Sequence, residues 1–125
     1  MDDRQRIRSL VPMAHVADVE RSAAFYARLG LAEQGRFTPP GENAPAWVSL
    51  VSGRAELMLT RAGAPIDPDR QAVLFYVYCP DVPAMHRQLA ADGLAPGPIS
   101  KPFFNPEGEF RLVDPDGHVV IVAHL

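Results

Sequence analysis

The 125-residue sequence has one cysteine, Cys79, one tryptophan, Trp47, and one lysine, Lys101. A single cysteine excludes an intrachain disulfide and any cysteine-built zinc cluster. Cys79 closes an apolar run, the setting of a buried, inert thiol. No stretch approaches the roughly 20 apolar residues of a membrane span. The opening MDDRQRIRSL has acids and no apolar centre, unlike a signal peptide. The expectation is a cytoplasmic protein with no membrane partner. Positive charge is also scarce: the net charge is −3, and the arginines are scattered rather than clustered. That argues against a nucleic-acid partner. G-x-S-x-G, a glycine-rich phosphate loop and H-E-x-x-H are all missing. Asp114-Pro115-Asp116-Gly117 shares part of a calcium loop but lacks its downstream glutamate, so it reads as a turn.

What is present is an ordinary globular composition, 47% hydrophobic and 22% charged, enough for one domain spanning 1–125. The chain repeats itself. DVERSAAFYARLGL at 18–31 is echoed 63 positions later by DVPAMHRQLAADGL at 81–94. In the first copy Asp18 stands at a helix N-cap. Ser22, Phe25, Tyr26 and Leu29 share one helical face, and Gly30 suits the residue after the helix. A strand precedes the helix at 8–16 and another follows at 31–37. After the loop TPPGENAP, AWVSLV and RAELMLT form a hairpin about Ser52-Gly53. Past a polar linker at 61–71 the order recurs. AVLFYVYC is a strand, and Asp81 caps a helix whose inner face is Val82, Met85 and Leu89 and which closes at Gly93. LAPGPI is a proline-interrupted edge strand. EFRLV and HVVIVAHL pair around D-P-D-G. The fold class is α+β, two tandem βαβββ modules at about 8–60 and 72–124. Neither half can bury its sheet and helix alone. Two curved sheets sharing one interior would leave a mixed-sheet cleft suited to a small molecule.

Paired βαβββ modules resemble the vicinal oxygen chelate superfamily, which includes glyoxalase I, extradiol dioxygenases, fosfomycin resistance proteins and bleomycin resistance proteins. VADVERSAAFYARLGL is similar to that superfamily's first-helix signature, V-x-D-x-x-x-S-x-x-F-Y ending in L-G. GEFRLVDPDGHVVIV is similar to its closing hairpin, and AELMLT to its fourth strand. The resemblance covers residues 8–124. It implies the glyoxalase/bleomycin resistance fold and a homodimer, because small members pair or exchange modules between subunits.

The resemblance also implies where a metal would sit in metal-dependent members. Carried onto this chain, the four ligand positions are Val11, Glu56, Leu74 and Ile121. A transition metal wants at least three N, O or S donors from the protein. One carboxylate among three aliphatic side chains does not supply them, so no metal and no cofactor is expected. A one-residue slip of register brings no histidine or carboxylate to these positions.

The expected ligand pocket is Val11, Met13, His15, Trp47, Glu56, Met58, Leu74, Tyr76, Phe103 and Ile121. His15 shares a strand face with Val11 and Met13 and is a candidate general base. Its bland reading is a hydrogen-bonded strand-end histidine. Glu56 is either an inward acid bonded to an arginine or a ligand, or one more surface acid. His86 is expected to be exposed, and His118 and His124 to be structural. Of the aromatic set Phe37, Trp47, Phe75, Tyr76, Tyr78, Phe103 and Phe104, the members best suited to be pocket walls are Trp47, Tyr76 and Phe103. Three functions follow from the resemblance and the residues. The first is a metal-free, bleomycin-resistance-like protein binding a small apolar or aromatic ligand. The second is a metal-dependent lyase, isomerase or dioxygenase. The third is a metal-independent enzyme using His15 and Glu56. Bleomycin-type ligands are cationic and their binders strongly acidic, whereas this chain's charge is mild.

Overall fold

A computed structural model describes residues 4–125. Two strongly capped helices punctuate it. Asp18 has extended backbone, and its carboxylate accepts from the Arg21 N–H at 3.1 Å, opening α1 (Val19–Arg28). Asp81 does the same for Ala84 N–H at 2.9 Å, opening α2 (Val82–Ala91). Each carboxylate satisfies an amide that no helical carbonyl can reach. Gly30 and Gly93 follow the two helices with φ of +94° and +81°, conformations that a side chain resists.

The first module forms the strands β1 (Met13–Val16), β2 (Ala32–Phe37), β3 (Trp47–Ser52) and β4 (Ala55–Arg61). They make a sheet of order β1-β4-β3-β2, with β1 and β4 parallel. The second module has three strands, β5 (Leu74–Cys79), β6 (Glu109–Val113) and β7 (Val119–His124), in the order β5-β7-β6. Here expectation and structure differ, because LAPGPI is not a strand. Pro96 and Pro98 have no N–H to give a ladder, and Ala95 has φ +51°. What remains of the edge is a Gly97 N–H to Arg111 carbonyl bond of 2.9 Å and a Ser100–Glu109 bridge. β1 is also shorter than expected, because residues 8–12 lie outside it. Only the Pro12 carbonyl, accepting from Met58 N–H at 2.9 Å, extends the pairing. The linker holds one 3-10 turn, Pro68–Arg70.

Side chains alternate along each strand, and the helix-facing set of each sheet is buried. Ala14, Val16, Val48, Leu50, Leu57 and Leu59 of the first module join Cys79, Phe110, Leu112, Val120 and Val122 of the second in one core cluster. Val19, Phe25, Tyr26, Val82 and Leu89 of the helices complete it. The interior shared by the two modules is therefore the helix side of both sheets, not the opposite side.

The two sequence signatures meet in this structure. Asp114 Oδ2 accepts from Tyr26 Oη at 2.7 Å and from His118 Nδ1 at 2.9 Å, while its Oδ1 accepts the N–H groups of Asp116 and His118. Asp116 in turn accepts the Ala17 N–H at 3.0 Å and the Ser22 hydroxyl at 3.2 Å. All five side chains are buried. The S-x-x-F-Y of the first helix and the D-P-D-G-H of the last turn are thus two halves of one polar clamp between the modules. Gly117, with φ +90°, passes so close to Pro68 that a Cβ there would overlap it. The turn needs glycine for both reasons.

Candidate functional site

The faces turned away from the helices are open, and they carry most of the expected pocket residues. On the first sheet the cross-strand rows are His15–Thr60–Trp47 and Met13–Met58–Ser49, with Glu56 beside Val51. Glu56 is exposed and accepts from Gln34 Nε2 at 3.0 Å, which makes it a solvated acid on the open face, and among the described residues no arginine pairs with it. Val11 is half-buried just ahead of β1. His15 and Glu56 are not brought together. His15 pairs with Thr60, and Glu56 lies four residues back along β4, a rise of about 13 Å at strand spacing.

On the second sheet the rows are Tyr78–Ala123–Glu109, Tyr76–Ile121–Arg111 and Leu74–Val119–Val113. Tyr76 Oη donates to Glu109 Oε2 at 3.3 Å, two strands away. To reach it, the ring must cross β7, and the residues in its path, Ile121 and Ala123, are 1% and 0% exposed. Asn105 Nδ2 donates to the other oxygen of Glu109 at 2.8 Å. Burial first, then Glu109, raises the Tyr76 phenol above the ordinary tyrosine range, and Arg111 opposes that rise. Tyr76 and Tyr78 stack, with centroids 6.1 Å apart and planes 24° apart. Tyr76 thus roofs over Ile121, one of the four positions that the resemblance assigns to metal. The donor set at these positions, a single carboxylate with three aliphatic chains, does not fit a divalent metal. Among the described residues no group of three or more His, Cys, Asp or Glu could hold one.

Two cavities lie where the modules meet. One, of about 430 Å³, is lined by Met13, His15, Arg70, Phe75 and His118 among others. The other, of about 800 Å³, runs along the free edge of β5. Leu29, Leu31, Met85 and Val122 line it, together with Tyr76, Tyr78 and the Ser52–Ala55 turn. The larger is apolar and of a size for a small organic ligand. Met13 and His15 thus open onto the first cavity and Tyr76 onto the second. Trp47, Glu56, Met58, Leu74 and Ile121 stand on the open faces. Phe103 is 95% exposed on the 101–107 loop, edge-on to Phe104 at 5.2 Å.

Three residues acquire roles that strand and helix patterns do not reveal. His118 is a buried member of the clamp, where the carboxylate partner makes its Nδ1 the donor. His86 is partly buried rather than exposed. Its Nε2 lies 2.8 Å from the Gly97 carbonyl and its ring packs edge-on against Phe110 at 4.9 Å, so it ties α2 to the strandless edge. Arg111 sits on the open face, exposed, and among the described residues its side chain has neither a hydrogen-bond nor an ion-pair partner. Cys79 is buried, and burial raises its thiol above the usual range.

The two sheets, each packed on its helix, define an α+β protein of paired modules. The chain belongs to the Glyoxalase/Bleomycin resistance protein/Dioxygenase superfamily, whose model matches residues 10–122. Among solved structures it is similar to a bleomycin resistance determinant encoded on the transposon Tn5, at 21% identity and TM-score 0.75, with 94% of this chain and 98% of that one covered. It is also similar to a bleomycin-binding protein complexed with bleomycin, at 21% identity and TM-score 0.73, covering 95% and 99%. SMU.1112c follows at 20% identity and TM-score 0.77, covering 95% and 100%. At these identities the likeness is one of fold. No curated protein matches the chain. Among the described residues no helix is long and apolar enough to cross a membrane.

Proposed function

We propose that this chain is a metal-free binding protein for a small apolar or aromatic molecule, held in a cup that a second copy of the chain completes. One observation carries the reading. The open faces expose Met13 (50%), Leu74 (50%), Tyr76 (41%), Tyr78 (57%) and Val113 (61%), a contiguous apolar and aromatic surface on the second sheet with Met13 facing out of the first. Surfaces of this kind mark interaction sites rather than resting solvent contact. A second copy laying its first sheet opposite this second sheet would bury them and leave a lined space between. The bleomycin-binding neighbours support the ligand class at the level of a small molecule, and the aliphatic metal positions support binding without metal.

Elemental analysis of untagged protein, followed by thermal shifts with Ni, Co, Mn, Fe and Zn ions, tests the metal-free claim. The expected result is no stoichiometric metal and no stabilisation. Bound metal, or a shift of several degrees by mass action, would overturn it and turn attention to lyase, isomerase or dioxygenase chemistry.

A further inference from the structure

We infer that the ligand of this cup is a planar aromatic anion, stacked on Tyr76 and Tyr78 and held at its charged end by Arg111. The inference rests on the cup reading and goes further, because it names the ligand's charge and shape. Of the residues that β5, β7 and β6 turn to the open face, only Glu109 and Arg111 carry charge. Their situations differ. Glu109 is 6% exposed, and both its oxygens are engaged, one by Tyr76 and one by Asn105. Its charge is turned inwards and already solvated by the protein. Arg111 is exposed, has no ion-pair partner among the described residues, and lies close enough to act on the Tyr76 phenol. Between them Ile121 and Ala123 form an apolar floor under the Tyr76 ring. The face therefore offers two near-parallel rings with one uncommitted guanidinium beside them. Once a second copy covers the cup, an unpaired cation there would be costly, and a ligand carboxylate or phenolate removes that cost with a charge-assisted, planar contact. The same arrangement disfavours a cationic guest.

The test is equilibrium binding to the full chain of three probes of one shape, 2-naphthoate, 2-naphthol and 2-naphthylmethylammonium, at neutral pH. Naphthoate is expected to bind about tenfold more tightly than the other two, an increment typical of one charged hydrogen bond. Arg111→Gln should remove that preference, Arg111→Lys should keep part of it, and Tyr76→Leu should weaken all three probes. Naphthol binding without any anion preference would overturn this inference and leave the cup reading standing. So would a preference that survives Arg111→Gln, tighter ammonium binding, or Arg111→Gln converting a two-chain species to single chains, which would assign Arg111 to an acid of the second copy. Saturable binding of none of the probes would overturn the cup reading together with the inference.

Discussion

Tyr26 shows at the scale of one residue how two short motifs become one structure. Its hydroxyl is buried and donates to Asp114, whose two oxygens together accept four hydrogen bonds. Burial, then Asp114 and Asp116, raises the phenol well above the ordinary tyrosine value of about 10. Above about pH 10 an unfolded chain loses this proton while the folded chain keeps it, so the folded state binds more protons and stability falls as pH rises. The contribution is fully present below that pH. Tyr26→Phe should cost about 1–2 kcal/mol in urea unfolding at pH 7 and flatten the decline above pH 10. Gly117→Ala combines a left-handed φ with overlap on Pro68, and should cost about 1–3 kcal/mol or more in the same measurement. The identity of these residues was legible in the sequence, since both motifs stand out. Their partnership was not, because the hydrogen bond from Tyr26 to Asp114 joins residues at opposite ends of the chain and leaves no periodic trace.

Elements were legible wherever one periodicity ruled. Both helices, their aspartate caps and the hairpins follow from helical spacing, alternation and turn residues. Asp81→Ala should cost about 1 kcal/mol of stability through loss of its bond to the Ala84 N–H, measured by thermal or urea unfolding. Two elements escaped for physical reasons. LAPGPI has the apolar content of a strand, but two prolines remove its donors and the chain settles for isolated bonds to Glu109 and Arg111. Phe103 reads as a pocket wall by chemistry alone, but its loop holds it in solvent. Phe103→Ser should therefore leave folding stability within about 0.5 kcal/mol of the parent.

For the whole molecule, the repeat announces two modules, and alternation announces that each sheet has two faces. Neither says which faces meet. The helix-side faces meet within the chain, because the clamp and the core cluster draw them together. That choice leaves the opposite faces, with Tyr76, Leu74 and Val113, turned outwards, while His15 and Glu56 stay apart because His15 pairs with Thr60, four residues from Glu56 along β4. Candidate site residues were thus legible as members of a face, since strand parity fixes the face. Their assembly depends on module packing and on a second chain, which no local pattern encodes. The most direct measurement is sedimentation equilibrium of the 13.7 kDa chain at micromolar concentration, run beside Leu74→Glu. A mass of two chains that falls to one in Leu74→Glu is the predicted result. A parent protein that stays a single chain at every concentration, yet still binds aromatic probes saturably, would contradict a cup completed by a second copy.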